Sequence, residues 1–304
     1  MGRAILLSGA TGLVGGSVQA VLEAGGHTVH ALTRRPDRLA RRATLEPVGW
    51  DGLAAPAEAI AGTRAVVHLS GEPIFGGLAT AARRERIHAS RIQSTRSLVA
   101  AMASAPESER PSTLVCASAV GYYGDRGEET LDESATPGQG FLADLCVAWE
   151  EEARRAEPLG VRVVSLRFGV VLSSRGGALS ALGPLFRLGL GGRVGHGRQW
   201  FPWIHLDDAT GIVLRALDDE SWSGAFNAVA PGAVRNAEFT RVLARVVGRP
   251  AWFPVPAFAL RTALGELSGE LLGSRHVVPA RAAAAAYGFA RPSLDRALEA
   301  ELAR

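Results

Sequence analysis

Short apolar runs alternate with segments of helical periodicity along the first half of the chain. Residues 4–7, 65–69 and 112–117 form short runs rich in Ala, Val and Leu. Runs of this length are typical of parallel strands that are buried on both faces. In the segments between them, as in 13–22, apolar residues recur at three- and four-residue intervals. The alternation predicts an α/β protein with a Rossmann-type, doubly wound parallel sheet.

The same pattern places the other elements. Strands are predicted at 4–7, 27–33, 45–48, 65–69, 112–117, 162–168 and 225–229, with 169–172 continuing the sixth strand. Helices are predicted at 13–24, 57–61, 80–102, 141–153, 207–217, 236–247, 256–270 and 292–302, and the alanine run 282–286 contains good helix formers. Beyond about residue 175 the alternation loosens into a smaller, mostly helical C-terminal region. We expect this region to close a substrate cleft over the carboxyl edge of the sheet.

Three glycines follow the first predicted strand at the spacing Gly9-x-x-Gly12-x-x-Gly15. A strand, a glycine turn and a helix in this order can bind a dinucleotide pyrophosphate. Gly9 allows the tight turn, Gly12 lets the phosphates approach the backbone, and Gly15 lets the helix pack closely on the strand. The predicted contacts are Gly9, Thr11, Gly12, Leu13, Val14 and Gly15. A purely structural glycine turn is the alternative.

The end of the second predicted strand indicates which dinucleotide binds. In NAD-binding proteins an acidic residue near this point holds the ribose 2′-hydroxyl. The chain has no acidic residue between Glu23 and Asp37, and offers Thr33, Arg34 and Arg35 instead. Guanidinium groups form charge-assisted hydrogen bonds with a 2′-phosphate, so the sequence favours NADP over NAD. The alternative is that both arginines only cap a strand in solvent.

Two more loops follow predicted strands at the same edge of the sheet. The loop after the fourth strand is expected to complete the cofactor site, and its predicted contacts are His68, Leu69, Ser70 and Gly71. Ser118, Tyr122 and Tyr123 come just past the fifth strand. A phenol can exchange a proton and a serine hydroxyl can hold a substrate oxygen, so these three are the candidate catalytic residues. For the tyrosines, aromatic packing is the alternative.

Two other polar groups receive a structural interpretation. The five arginines of the predicted helix 80–102 are at spacings typical of a solvated face. In the aromatic stretch 198–208, which we expect to form a ligand-facing wall, His205 and Asp207 are interpreted as a helix-start hydrogen-bonded pair. Asp207 or Asp208 is predicted to cap the helix that follows.

Composition narrows the classes of function. The chain has 304 residues, 2 cysteines and no lysine, so all 33 basic residues are arginine. The lack of lysine excludes Schiff-base chemistry and a Tyr-x-x-x-Lys dyad. The arginines are scattered among 30 acidic residues, and the histidines and cysteines lack metal-binding spacing. No apolar run approaches the ~18 residues of a membrane span. We therefore expect a cytoplasmic protein without nucleic-acid, membrane or metal partners.

Together these motifs resemble the extended short-chain dehydrogenases/reductases, on the side of the superfamily that contains the nucleotide-sugar epimerases and dehydratases. More specifically, the chain resembles the atypical YfcH-like epimerase family proteins over essentially its whole length. The stretches that carry the resemblance are 68–74 (HLSGEPI), 90–92 (SRI), 118–124 (SAVGYYG), 167–169 (RFG), 197–208 (GRQWFPWIHLDD), 277–281 (VVPAR) and 288–289 (GF).

The resemblance implies NADP as cofactor and adds Arg167 to the predicted cofactor contacts. In the superfamily, a Tyr-x-x-x-Lys pair on the helix after the fifth strand transfers protons. Here the two positions fall near Leu142 and Cys146, and the atypical subgroup resembles this chain in lacking the pair. The predicted division of the chain is an NADP-binding Rossmann domain at 1–174, which also receives segments from about 198–230, and a substrate-binding region at 175–304.

Three functions follow from these observations. The first is an NADP(H)-dependent oxidoreductase that acts on an unidentified small or sugar-like carbonyl or alcohol, as a monomer or homodimer. The second is a non-catalytic NADP(H) sensor whose cleft binds another ligand or partner, which accounts for the missing dyad. The third is a nucleotide-sugar epimerase, which ranks last because it needs strong base chemistry at the vacant dyad.

Overall fold

A parallel sheet forms the centre of the protein in the computed structural model, which describes residues 4–75, 77 and 80–302. The strands, in chain order, are β1 (Ile5–Ser8), β2 (Val29–Thr33), β3 (Leu45–Gly49), β4 (Ala65–His68), β5 (Thr113–Ala119), β6 (Thr130–Leu131), β7 (Arg162–Phe168), β8 (Val170–Ser173), β9 (Trp200–Phe201), β10 (Trp203–His205), β11 (Gly224–Ala228), β12 (Val234–Arg235) and β13 (His276–Val277). Seven of them form the central sheet in the order β11-β7-β5-β4-β1-β2-β3, and all of these neighbours are parallel. The predicted Rossmann-type fold is confirmed, with the strand order reversing between β1 and β4.

Helices cover both faces of this sheet. They are α1 (Leu13–Ala24), α2 (Ala57–Ile60), α3 (Ala81–Ser104), α4 (Phe141–Arg154), α5 (Gly177–Arg187), α6 (Leu206–Asp218), α7 (Asn236–Val247), α8 (Ala257–Leu264), α9 (Gly269–Leu272), α10 (Ala280–Ala284) and α11 (Leu294–Leu302). Helices α1 and α6 pack against each other on one face, and α3 and α4 on the other. Within the described ranges, no helix has the length and apolar character needed to span a membrane.

Alternate side chains of the central strands enter two separate cores. Leu6 packs with the α3–α4 side, whereas its neighbours Ile5 and Leu7 pack with the α1–α6 side. In β5, Leu114 and Val115 divide between the two cores in the same way. Because both faces are covered, the strands appear in the sequence as nearly continuous apolar runs.

The C-terminal region contains a third core, built from β8, β10, α5, α7 and α11. Three short strand pairs lie outside the central sheet in the described part of the chain. Strand β8 pairs with β10, β9 with β12, and β6 with β13. The last pair ties residues 276–277 to the loop that follows the two tyrosines.

Four local predictions were wrong. Residues 169–172 do not continue β7, because the chain turns after Phe168, where the Val170 N–H donates a hydrogen bond to the Pro202 carbonyl oxygen at 2.9 Å and β8 pairs with β10. The predicted helix 256–270 is interrupted where Gly265 adopts a φ of +52°. The alanine run is helical only at 280–284. His205, and neither aspartate, caps α6, with Nδ1 accepting a hydrogen bond from the Asp207 N–H at 3.1 Å.

A fully buried histidine connects the sheet to α3. The Nδ1 of His68, at the end of β4, lies 2.6 Å from the Ser8 hydroxyl, and its Nε2 lies 3.1 Å from the Ser94 hydroxyl. Burial, reinforced by the positive charge of Arg91, lowers the pKa of His68 from 6.5 to about 3. The imidazole is therefore neutral in the folded protein at neutral pH.

This histidine makes the protein sensitive to mild acid. The unfolded chain takes up a proton near pH 6.5 and the folded protein does not, so stability is lost as the pH falls below 6.5. Between pH 7.5 and 5.5 the contribution of His68 is a loss of about 1.4 kcal/mol. Urea unfolding of the wild type and of His68→Gln at both pH values should show that the variant lacks this part of the loss. His88→Gln, at an exposed position of α3, is the matched control. It should lose as much stability as the wild type between the two pH values.

Candidate cofactor and active site

The turn between β1 and α1 depends on close backbone contacts that only glycine permits. Gly9 has a φ of +78°, and a side chain there would lie 2.8 Å from the carbonyl carbon of Leu69, at the end of β4. A side chain at Gly15 would lie 2.1 Å from the Gly9 carbonyl oxygen. The Gly12 N–H donates a hydrogen bond to that same oxygen at 2.8 Å. These contacts match the roles predicted for Gly9 and Gly15.

The N-terminus of α1 is suited to a phosphate. Gly12 is its N-cap residue, and within the described part of the chain no side chain accepts a hydrogen bond from the first turn at this end. The backbone N–H groups of Leu13, Val14 and Gly15 belong to this turn, and the helix dipole adds positive potential there. A pyrophosphate at this position would satisfy donors that the protein leaves open.

The predicted specificity residues lie on the neighbouring strand. Strand β2 pairs with β1, and its last residue is Thr33. Arg34 and Arg35 follow and are exposed, and the Arg35 N–H donates a hydrogen bond to Thr33 Oγ1 at 3.2 Å. Both guanidinium groups are therefore available to an anion beside the glycine turn.

A cavity of about 210 Å³ opens at the carboxyl ends of β4 and β5. Its walls come from the loop after β4, the end of β5, the inner face of α4, and one residue each from α3 and α9. The lining residues are Leu69, Ser70, Gly71, Ile74, Arg91, Ala117, Ser118, Ala119, Gly121, Leu142, Leu145, Cys146, Trp149 and Glu270. Leu69 also contacts the glycine turn, so the two features share a wall.

A buried polar network runs from this cavity into the protein. Ser118, which lies within β5 and not past it as predicted, donates a hydrogen bond from its hydroxyl to Glu150 Oε1 at 2.7 Å. Glu150 also accepts two hydrogen bonds, each 2.8 Å long, from Arg167. Arg167 Nη1 then donates to the Tyr123 hydroxyl at 3.0 Å, and that hydroxyl lies 2.6 Å from Asn227 Oδ1.

The network explains where Arg167, a predicted cofactor contact, lies. All three guanidinium nitrogens of Arg167 are hydrogen-bonded within the protein. Its Cζ atom lies over the Tyr122 ring, 3.5 Å from the ring centre. Burial lowers the pKa of Arg167, but its hydrogen bonds and the charge of Glu150 outweigh burial, and the net direction is upward. This geometry assigns Arg167 to the internal network and leaves its predicted cofactor contact without support.

The two tyrosines lie outside the cavity. Tyr123 is fully buried, and burial raises its pKa to about 12 although Arg167 opposes the shift. Tyr122 is half-buried between Arg167 and the edge of the Tyr123 ring. Of the three candidate catalytic residues, the structure therefore brings only Ser118 to the cavity. Burial argues against Tyr123 as a group that exchanges protons with a substrate.

Two cavity residues escaped the sequence analysis. Arg91 was assigned to a solvated face, but it is 9% exposed, donates a hydrogen bond to the Glu72 carbonyl oxygen at 3.0 Å and lies 5.2 Å from the Trp149 ring centre. Because the sequence of α3 is only weakly amphipathic, it does not indicate that Arg91 is buried. Glu270 comes from the distant C-terminal region, where no local pattern marks it. The predicted contact His68 reaches the cofactor side only through its backbone, because its side chain is enclosed between Ser8 and Ser94.

Comparison with known proteins identifies the family. Residues 5–228 match the model of the NAD dependent epimerase/dehydratase family, which is most of the chain. The chain belongs to the NAD dependent epimerase/dehydratase family. Residues 255–301, which include Glu270, match a second model described only as a domain of unknown function, DUF1731.

Within the family the chain is similar to proteins of the epimerase family SDR39U1 group. It is 36% identical over 299 residues to the chloroplastic SDR39U1 homolog of Arabidopsis thaliana, covering 97% of this chain and 86% of that protein. It is 36% identical over 297 residues to the epimerase family protein YfhF of Bacillus subtilis, covering 97% and 96%. The crystal structure of human SDR39U1 (isoform 2) with NADPH matches with a TM-score of 0.87 and 32% identity, covering 98% of this chain and 99% of that one. The resemblance to atypical epimerase family proteins is confirmed.

The cavity wall shows how this member of the epimerase/dehydratase family departs from the superfamily. Leu142 and Cys146, which occupy the predicted dyad positions, both line the cavity on the inner face of α4. Burial raises the pKa of Cys146 to about 12, so its side chain is a neutral thiol. Near the two positions predicted to correspond to the dyad, the cavity wall is therefore apolar and uncharged.

Adjacent glycines of the phosphate-binding turn should differ sharply in their tolerance of a methyl group. Gly15→Ala places a carbon 2.1 Å from the Gly9 oxygen and should lower the free energy of unfolding by about 3 kcal/mol. Gly16→Ala places a carbon 3.3 Å from the Ala10 oxygen, and the better helix propensity of alanine should keep its effect within about 1 kcal/mol. Urea unfolding of both variants measures the difference. Equal stabilities would show that the turn is less tightly packed than described.

Proposed function

We propose that the protein is an NADP(H)-dependent oxidoreductase that acts on a small or sugar-like carbonyl or alcohol. One observation carries the proposal: the glycine turn and the 210 Å³ cavity share the wall formed by Leu69. A dinucleotide that lies along this wall would have its pyrophosphate at α1 and its other end at the cavity. The NADPH in the human SDR39U1 crystal structure supports this choice of cofactor.

The described residues fit NADP in two places. The open first turn of α1 would hold the pyrophosphate, and Arg34 and Arg35 would pair with the 2′-phosphate. The chemistry that the cofactor supplies when bound is hydride transfer.

The cavity favours a substrate that carries a hydroxyl group. Because the Ser118 hydroxyl donates its one hydrogen bond to the buried carboxylate of Glu150, its oxygen can only accept a hydrogen bond from the cavity side. Ser118 therefore suits an alcohol or a hydroxyl-bearing carbonyl, such as a sugar, better than a bare carbonyl oxygen.

The lack of the Tyr-x-x-x-Lys pair favours the NADP(H) sensor over the nucleotide-sugar epimerase as the alternative function. Leu142 and Cys146 fit a protein that binds NADP(H) without turnover and signals through a partner. They do not fit nucleotide-sugar epimerisation, which requires a strong base at this wall.

A carbonyl panel tests the proposed reaction. Wild-type protein should consume NADPH with at least one small hydroxyl-bearing aldehyde or ketone, followed by the loss of NADPH absorbance. Ser118→Ala should raise KM about tenfold for that substrate, the value of one lost hydrogen bond. It should leave KM unchanged for the analogue without the hydroxyl group. Ser112→Ala, an exposed serine just before the same strand, is the control. NADPH binding without turnover on the whole panel would favour the sensor.

The two exposed arginines should set the preference for NADPH. Arg34→Ala and Arg35→Ala should each weaken NADPH binding about tenfold or more, since a charge-assisted hydrogen bond contributes ~1.5–3 kcal/mol. NADH binding should change little, because NADH lacks the 2′-phosphate. Titration followed by NADPH and NADH fluorescence measures both affinities, with exposed Arg38→Ala as the matched control. Equal losses for the two dinucleotides would contradict the assignment.

A further inference from the structure

The C-terminal region contributes one carboxyl group to the cavity. Glu270, on α9, lines it together with Ser118 and the end of β5. Its side chain is 18% exposed. A side chain built on Gly121 would lie 3.5 Å from Glu270 Oε2 and 3.7 Å from Oε1, so the carboxyl group lies against this cavity-lining glycine.

The other oxygen of this carboxyl group is held firmly. Arg275 donates to Glu270 Oε1 at 2.6 Å and to the Gly124 carbonyl oxygen at 2.7 Å, and Arg275 is itself 5% exposed. One oxygen is thus fixed by a positioned guanidinium, while Oε2 is the oxygen nearer to the cavity-lining Gly121. A carboxyl group with one anchored and one open oxygen has the geometry of a proton donor and acceptor.

The surroundings of Glu270 favour its protonated form. Burial raises the pKa of Glu270, and the charge and hydrogen bond of Arg275 oppose the shift without cancelling it. The other titratable groups that line this cavity are Arg91 from α3 and the neutral thiol of Cys146 from α4. The hydroxyl hydrogen of Ser118 is already engaged in the hydrogen bond to Glu150. Among the described lining residues, Glu270 is the group best placed to exchange a proton.

We propose that Glu270 is the proton donor of this cavity and takes over the role that the missing Tyr-x-x-x-Lys pair has elsewhere in the superfamily. The inference rests on the proposed oxidoreductase function. In carbonyl reduction, the carbonyl carbon gains a hydride from NADPH, and the π electron pair moves to the oxygen. That oxygen takes the proton from Glu270, which regains one from solvent. NADPH is oxidised to NADP⁺, the carbonyl is reduced to the alcohol, and charge and protons balance.

A binding measurement tests the donor without relying on turnover. NADP⁺ carries a positive nicotinamide ring and NADPH does not, so NADP⁺ near Glu270 favours the carboxylate and releases a proton. In weakly buffered solution with a pH indicator, wild-type protein should release more protons on binding NADP⁺ than on binding NADPH. Glu270→Gln keeps the shape of the side chain and should abolish this difference. Glu266→Gln, an exposed glutamate of the same segment, should behave as the wild type.

Kinetics on any substrate found by the carbonyl panel give the second measurement. Glu270→Gln should lower kcat about a hundredfold or more with KM within about threefold, which is the size of a lost proton donor. Glu270→Asp keeps a carboxyl group and should recover part of kcat. It also serves as the second variant if the unpaired Arg275 prevents Glu270→Gln from folding.

The outcomes separate the two proposals. If both dinucleotides bind and Glu270→Gln releases the same excess of protons as the wild type, Glu270 is not the donor and the oxidoreductase proposal stands. If neither dinucleotide binds, the oxidoreductase proposal fails and the role of Glu270 fails with it. If the wild type and Glu266→Gln release excess protons with NADP⁺ and Glu270→Gln does not, both proposals are supported.

Discussion

Three backbone segments approach one another at the glycine turn. The surface between the N-terminus of α1 and the cavity depends on this contact. The carbonyl oxygen of Gly9 accepts the Gly12 N–H, faces Gly15 and leaves no room for a side chain on the helix above it. On its other side, Gly9 abuts the backbone of Leu69. Because no Cβ separates them, the start of α1, the end of β1 and the loop after β4 form one continuous surface. That surface joins the phosphate-binding end to the cavity.

The second structural constraint is the buried pair of Arg167 and Glu150. Two charges can remain inside a protein only when each is hydrogen-bonded, and here both are. The pair fixes Ser118 at the cavity and the Tyr123 hydroxyl in the interior, so it decides which hydroxyl a substrate can reach. Tyr123, a candidate catalytic residue in the sequence, and Arg167, a predicted cofactor contact, thereby become structural supports for Ser118.

The departure from the superfamily follows from which elements surround the cavity. On α4, Leu142 and Cys146 make the wall apolar and uncharged, so proton chemistry from this helix is absent. The carboxyl group of Glu270 arrives instead from a region about 120 residues later in the chain. Proton donation by Glu270, as proposed, would leave the glycine turn and the central sheet unchanged, because neither takes part in it.

Local sequence determined the fold, the glycine turn and the exposed Arg34 and Arg35. These features are short-range properties of the sequence: the periodicity of the strands, the glycine spacing, and the lack of an acidic residue between Glu23 and Asp37. Folding does not change them, and the family comparisons agree with the fold and cofactor that they predict. Burial and partnership are long-range properties, and only the tertiary structure decided them. The sequence pattern of α3 does not reveal that Arg91 is buried beside Trp149, and nothing near Glu270 in sequence indicates that it lines the same cavity as Ser118. Side chains from β5, α3, α4 and α9 converge on this cavity because of the sheet order and the packing of the C-terminal region, which no single stretch of sequence contains.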